Sequence, residues 1–264
     1  IHIFILILLT FSEYGFLHGV TSLGITYGKV GKNLPPPKKV LSLLDSLKIT
    51  KVRIYYTNPQ ILTAFANSNV ELIVTIENQM LAALMDPQQA YQSVNTHIKP
   101  YFPSTHINGE HPHQAVVMSQ YLQSLSSTKA PFWINAYPYF AYKDDLSGIS
   151  LDYALFNPNV GMVDPYSKLC YDNMLYARVD VAIFSVARMG FGNIELKVSK
   201  TGRPSKGDPN EVGATLENAA MYNRNFLRRQ LGSEWKPLGP SMGLDVYMFA
   251  LFNENLKPGP TLEK

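Results

Sequence analysis

Short apolar runs alternate along this chain with longer segments whose apolar residues recur every three or four positions. Leu23-Gly-Ile-Thr-Tyr27 reads as a strand closed by Gly28. Pro35-Pro36-Pro37 then presets a helix start, and Val40, Leu41, Leu43, Leu44 and Leu47 give that helix one apolar face. Lys51-Val-Arg-Ile-Tyr55 is the second strand, and Asn58-Pro59 opens a helix carrying Ile61, Leu62 and Phe65. Val70-Glu-Leu-Ile-Val-Thr-Ile76 is the third strand, with helical patterns around Met80 to Leu84 and Ala90 to Ile98. Strand and helix alternating at this spacing predict parallel βα units.

The rhythm then breaks. Residues 101–114 hold two prolines and three histidines but no periodic apolar run. A helix follows around Val116 to Leu125, then an apolar strand over 131–137. Residues Pro138 to Pro165 read as a long loop with a short helix at Leu151 to Phe156. Helical periodicity returns over Tyr171 to Met189 and Thr215 to Leu231, and strands are expected over 194–199 and 244–252. The count is six strands.

Composition narrows the class. A chain of 264 residues that is 46% hydrophobic and 16% charged can bury a large core, and α/β barrels of this size stay undivided. A net charge of +3 with scattered Lys and Arg gives no nucleic-acid stripe and no polybasic membrane patch. Sixteen tyrosines and 13 phenylalanines suit a cleft in which rings stack on sugar faces, although most such rings fill cores. The apolar run Ile1 to Phe11 is too short for a transmembrane span and fits a secretory h-region, with cleavage near Gly19 to Thr21. The competing reading is a buried first strand. The division expected is a signal peptide over 1–20, incomplete because it lacks an initiator Met, and one barrel domain over 21–264. Cys170 is the single cysteine, which excludes an internal disulfide. His106, Glu110, His111 and His113 cluster in sequence, but Pro112 prevents a regular helical presentation and no ligand set is complete, so neither metal nor cofactor is expected.

Several blocks, in order, resemble glycoside hydrolase family 17, the plant glucan endo-1,3-β-glucosidases. Gly24-Ile-Thr-Tyr-Gly28 with Asn33-Leu-Pro-Pro-Pro37, and Val52-Arg-Ile-Tyr55, are similar to its opening. Asn135-Ala-Tyr-Pro-Tyr-Phe-Ala-Tyr142 and Ser150-Leu-Asp-Tyr-Ala-Leu-Phe156 are similar to its middle. Ser205-Lys-Gly-Asp208, Glu211-Val-Gly-Ala-Thr215 and Phe249 through Gly259 are similar to its end. The resemblance spans residues 22–264. It implies an α/β fold of the (β/α)8 TIM-barrel family, a retaining mechanism and 1,3-β-glucan as substrate. With six strands in view, the fourth and fifth βα units are expected to be largely missing, a loss on the order of 50 residues.

A retaining glycosidase needs two carboxyl groups across one glycosidic bond, one as acid and one as nucleophile. The family's nucleophile motif, V-S-E-[ST]-G-W-P-S, corresponds here to Val198-Ser-Lys-Thr-Gly-Arg-Pro-Ser205. By that resemblance Lys200 stands at the nucleophile position and Arg203 at the Trp. The acid motif, I-A-V-G-N-E-V, has no counterpart beyond Asn108-Gly-Glu110, which makes Glu110 a doubtful acid. Glu254 and Lys257 match residues that support the family's active site, with Glu254 also a candidate partner of Lys200. Tyr55, Tyr137 and Phe140 match cleft aromatics. Three readings stand: a secreted, monomeric homologue that is catalytically impaired and holds glucan weakly at best; an active hydrolase using Glu110 and Glu254; and the unstable product of a damaged gene.

Overall fold

The computed structural model describes residues 23–75, 87–109, 118–232, 236–239 and 243–259. The apolar leader, the helical pattern at Met80 to Leu84, and Glu110, His111 and His113 lie outside the described residues. The chain divides into two compact units, one of residues 24–115 with 250–256, the other chiefly of 116–249 with 257–264.

In the first unit β1 (Leu23–Tyr27), α1 (Pro37–Ser46), β2 (Lys51–Ile54), α2 (Pro59–Ala64), β3 (Glu71–Val74), α3 (Pro87–His97) and β4 (Ile107–Gly109) follow one another. The strands lie parallel in the order β4-β3-β2-β1. Pro37 opens α1 without a side-chain cap, while Asn58 caps α2 by accepting the Ile61 N–H at 3.1 Å. Val52, Ile54, Leu72, Ile73, Val40, Leu44, Ile61 and Leu62 are all buried. Strands covered by crossover helices bury their residues on both faces, which is why they read as continuous apolar runs.

The second unit contains α4 (Met118–Thr128), β5 (Phe132–Asn135), α5 (Pro138–Asp144), α6 (Leu151–Ala154), a hairpin of β6 (Met162–Val163) and β7 (Cys170–Tyr171), α7 (Met174–Arg188), β8 (Leu196–Thr201), α8 (Leu216–Leu231) and β9 (Val246–Met248). β5, β8 and β9 are parallel, with β8 between the other two. Tyr176 and Val179 from α7, Tyr222 and Phe226 from α8, and Phe156 pack with Val198 and Val246 into one core.

All six anticipated strands are present, most of them shorter than their apolar runs. A seventh parallel strand, β4, pairs in register with β3, Leu72 facing Ile107 and Val74 facing Gly109. Parallel strands alternating with helices, short of eight among the described residues, make this an incomplete member of the (β/α)8 class. One stretch read as loop is helical. Pro138 supplies a preset first turn, and Tyr139 and Tyr142, three apart, bury one face of α5.

Candidate active site

In a βα barrel the site is built where strands end. In the second unit β8 carries a bulge: Ile134 pairs with Val198, but Asn135 pairs with Lys200, leaving Ser199 as the extra residue. The Ser199 hydroxyl stabilises that distortion by donating to Asn135 Oδ1 at 2.7 Å, and it also lies 3.1 Å from the Ile134 carbonyl. A bulge of this kind re-aims the side chain beside it. Here that side chain is Lys200, whose ammonium sits 5.6 Å from the centre of the Phe249 ring.

Phe249 follows β9 directly, and its ring organises the neighbourhood. Lys257 places its ammonium 4.7 Å from the same ring centre. Tyr137, the residue before α5, meets Phe249 edge-on with centroids 6.2 Å apart, and Phe140 meets Tyr137 edge-on at 5.7 Å. Phe140 is 39% exposed, so part of this aromatic shelf faces solvent. Of the residues expected at the site, Lys200, Lys257, Tyr137 and Phe140 therefore come together. Sequence reasoning missed Phe249 as the common neighbour of the first three; the available signal was an aromatic ring one residue past a strand end.

Backbone approach fixes the loop after β8. A Cβ on Gly202 would lie 2.4 Å from the Phe249 carbonyl oxygen, so only glycine lets the two segments close. The Phe249 N–H donates to the Thr201 carbonyl at 2.7 Å, and the Thr201 and Tyr222 hydroxyls lie 2.5 Å apart in the core. Burial holds the Tyr222 hydroxyl well above the ordinary tyrosine range.

Arg203 is not a surface cation. It is 7% exposed, with its guanidinium carbon 5.0 Å from the Tyr139 ring centre and 5.3 Å from that of Tyr142. Nη2 donates to the Gly213 carbonyl at 3.1 Å, while Nε and Nη1 have no hydrogen-bond partner. Burial pushes its pKa below the usual arginine value. Glu211, in the same loop, accepts the Asp208 N–H at 2.6 Å and lies 3.6 Å from the Lys143 ammonium.

The first unit holds the other two expected residues. The Arg53 guanidinium carbon lies 5.4 Å from the centre of the Tyr55 ring. Glu254 is 3% exposed and accepts the Val30 N–H at 2.8 Å. Its carboxyl group occupies the space that a side chain on Gly28 would fill, with atoms 2.2 Å from the position of such a Cβ. Asn255 accepts the Lys32 N–H at 3.2 Å, and the Leu256 N–H donates to the Val30 carbonyl at 3.1 Å. Residues 250–256 thus strap the loop that follows β1. No group of three or more potential metal ligands occurs among the described residues, and no helix among them is long and apolar enough to cross a membrane.

Parallel βα units, with aromatic and charged side chains gathered at strand ends, define the class as a (β/α)-barrel protein and give it a candidate site at those ends. The profile of Glycosyl hydrolases family 17 matches residues 23–111 and 107–264, and the chain belongs to this family. It is 37% identical to glucan endo-1,3-beta-glucosidase 11 of Arabidopsis thaliana, over 92% of this chain and 72% of that protein. It is also 37% identical to glucan endo-1,3-beta-glucosidase 14 of the same plant, over 99% of this chain and 82% of that protein. The first alignment runs over 306 residues, more than the 264 present here, so the relative carries segments that this chain lacks. Among solved structures, a beta-1,3-glucanase and allergen of Cryptomeria japonica pollen superposes with a TM-score of 0.84 at 33% identity, covering 92% of this chain and 93% of the other.

Proposed function

We propose that this chain is a secreted, monomeric, glucan endo-1,3-β-glucosidase-like protein of cell-wall 1,3-β-glucan metabolism that holds glucan weakly and does not cleave it. The observation that carries the reading is Lys200 at the bulge of β8, with its ammonium on the Phe249 ring. By resemblance this is the nucleophile's position. Retaining chemistry needs a carboxylate there, about 5–5.5 Å from the acid, to form the glycosyl ester. An ammonium cannot form that ester, and its charge opposes the cation-like transition state. What supports weak binding is the shelf of Tyr137, Phe140 and Phe249, since binding and bond cleavage draw on different interactions. Affinity for a neutral oligosaccharide is expected in the millimolar range, equivalent to about 4 kcal/mol.

The test is sugar release from laminarin by the purified protein. No release above a blank is expected, and Lys200→Glu alone should not restore it while the acid-bearing strand is incomplete. Release that disappears in Glu110→Gln or Glu254→Gln would overturn the proposal in favour of an active hydrolase using those two carboxyl groups.

A further inference from the structure

β5 ends its sheet: among the described residues it pairs with β8 alone, and no strand lies along its other edge. In a parallel ladder, alternate residues turn both backbone groups toward the same neighbour. The Phe132 N–H donates to the Glu195 carbonyl at 2.7 Å and the Ala136 N–H to the Lys200 carbonyl at 2.9 Å, so Phe132, Ile134 and Ala136 face β8. Trp133 and Asn135 therefore aim their N–H and carbonyl groups outward, where nothing among the described residues pairs with them. The edge is also accessible. β2 and β3 each bury three residues of four, whereas β5 leaves Phe132 and Ile134 half-buried and Asn135 exposed. A closed barrel has no such edge, because every strand is paired on both sides. The two stretches matched by the family profile meet at residues 107–111, ahead of α4 and β5. The segment that the relatives carry and this chain lacks therefore belongs immediately before α4.

We infer that the outer edge of β5 accepts one extended strand supplied by another chain, and that the strand it fits comes from the segment its relatives carry at this point. A row of unpaired N–H and carbonyl groups is a template for such pairing. The added strand runs parallel to β5, bonds the backbone of Trp133 and Asn135, and lays apolar side chains on the face that Phe132 and Ile134 share. Backbone bonds supply the affinity, and the alternating side chains supply the choice of partner. This goes beyond the reading of the chain as a glucan-holding protein and does not depend on it.

Amide hydrogen exchange of the full chain, read by NMR, is the test. The probe is a synthetic peptide spanning the residues of glucan endo-1,3-beta-glucosidase 11 that have no counterpart here ahead of α4. Without peptide, the Trp133 and Asn135 amides should exchange about tenfold faster than those of Phe132 and Ala136, which donate into β8. With about 1 mM peptide they should slow about tenfold, while the Phe132 and Ala136 rates hold. Two further peptides carry N-methyl groups at alternate strand residues, one in each register. The peptide methylated on the residues facing β5 should bind about tenfold more weakly, and the other should keep its affinity. No variant of the protein has to fold for any of these readouts. Trp133 and Asn135 amides already slow in the free protein, at every protein concentration, would overturn the inference by showing the edge filled from within the chain. Slowing that grows with protein concentration would overturn it in favour of a second copy. Peptide binding that leaves both amides fast, binding kept by both methylated peptides, or no slowing at about 1 mM peptide would each overturn it as well.

Discussion

Replacing Arg203 with methionine should stabilise this protein. Arg203 is 7% exposed, and two of its guanidinium nitrogens, Nε and Nη1, have no partner. Each unpaired buried polar group costs about 1–3 kcal/mol, and an ion held away from water adds several more. Against this stand the stacking contacts with Tyr139 and Tyr142, together about 1–4 kcal/mol, and one hydrogen bond worth about 1 kcal/mol. Losing that hydrogen bond strands nothing, because Asn218 Nδ2 also donates to the Gly213 carbonyl at 3.0 Å. Methionine keeps an unbranched, adaptable side chain against the two rings. The balance favours the variant by about 1–3 kcal/mol, within the range seen when buried charges give way to apolar groups. At about 2–4 °C per kcal/mol for a chain of this size, the midpoint of thermal unfolding should rise by roughly 2–12 °C. Urea unfolding followed by far-UV circular dichroism gives the free energy directly. Arg203→Lys serves as the control: it retains the charge but loses the planar stack, and should destabilise. A methionine variant less stable than the parent by 1 kcal/mol or more would refute the reasoning and make the Tyr139–Arg203–Tyr142 stack a net stabiliser.

Three further outcomes follow from the same region and its neighbours. Gly202→Ala should destabilise by roughly 1–3 kcal/mol, since the opposing atom is the Phe249 carbonyl oxygen and cannot swing aside; an unchanged urea midpoint would show that the two segments can part freely. Tyr222→Phe leaves the Thr201 hydroxyl without that buried partner and should lower stability by about 1–3 kcal/mol in the same assay, whereas a neutral effect would mean the hydroxyl finds another acceptor. Asp164 accepts from the Ser167 hydroxyl at 2.5 Å and its N–H at 2.6 Å, which holds its carboxyl below the usual aspartate value. Its contribution to stability is present above the unfolded pKa of about 3.9 and is lost as pH falls through the folded value. An NMR titration should place Asp164 below that figure and show it rising in Ser167→Ala; a wild-type value at or above it sinks the assignment.

The parts of this fold legible in sequence are those where burial is two-sided. β1, β2 and β3 announce themselves as apolar runs because helices cover their sheet, and Pro37 and Asn58-Pro59 mark helix starts by local backbone chemistry. β4 was not legible, because a three-residue strand reading Ile-Asn-Gly owes its pairing to β3 and not to any pattern of its own. α5 was hidden by its tyrosines, which look like loop aromatics until Tyr139 and Tyr142 are seen buried on one face. At the site, motif register alone flagged Lys200, Tyr137 and Lys257. What the motif could not convey was Phe249 as their shared neighbour, a non-local contact made by a different strand end, nor the burial of Arg203 between two rings.

The strap formed by residues 250–256 has a consequence for synthesis. Glu254 and the loop it clamps, at Val30, are separated by 224 residues of chain. At about 5–20 residues per second, the ribosome needs roughly 10–45 s to travel that distance. In the later part of that interval, once β4 has been made, the first unit has the sequence of all its strands and helices but lacks the carboxylate that occupies the space beside Gly28 and the bonds that hold Val30 and Lys32. The loop after β1 therefore waits, unfastened, for residues 250–256 to emerge. Premature termination anywhere before residue 250 would release a chain whose opening loop can never be fastened.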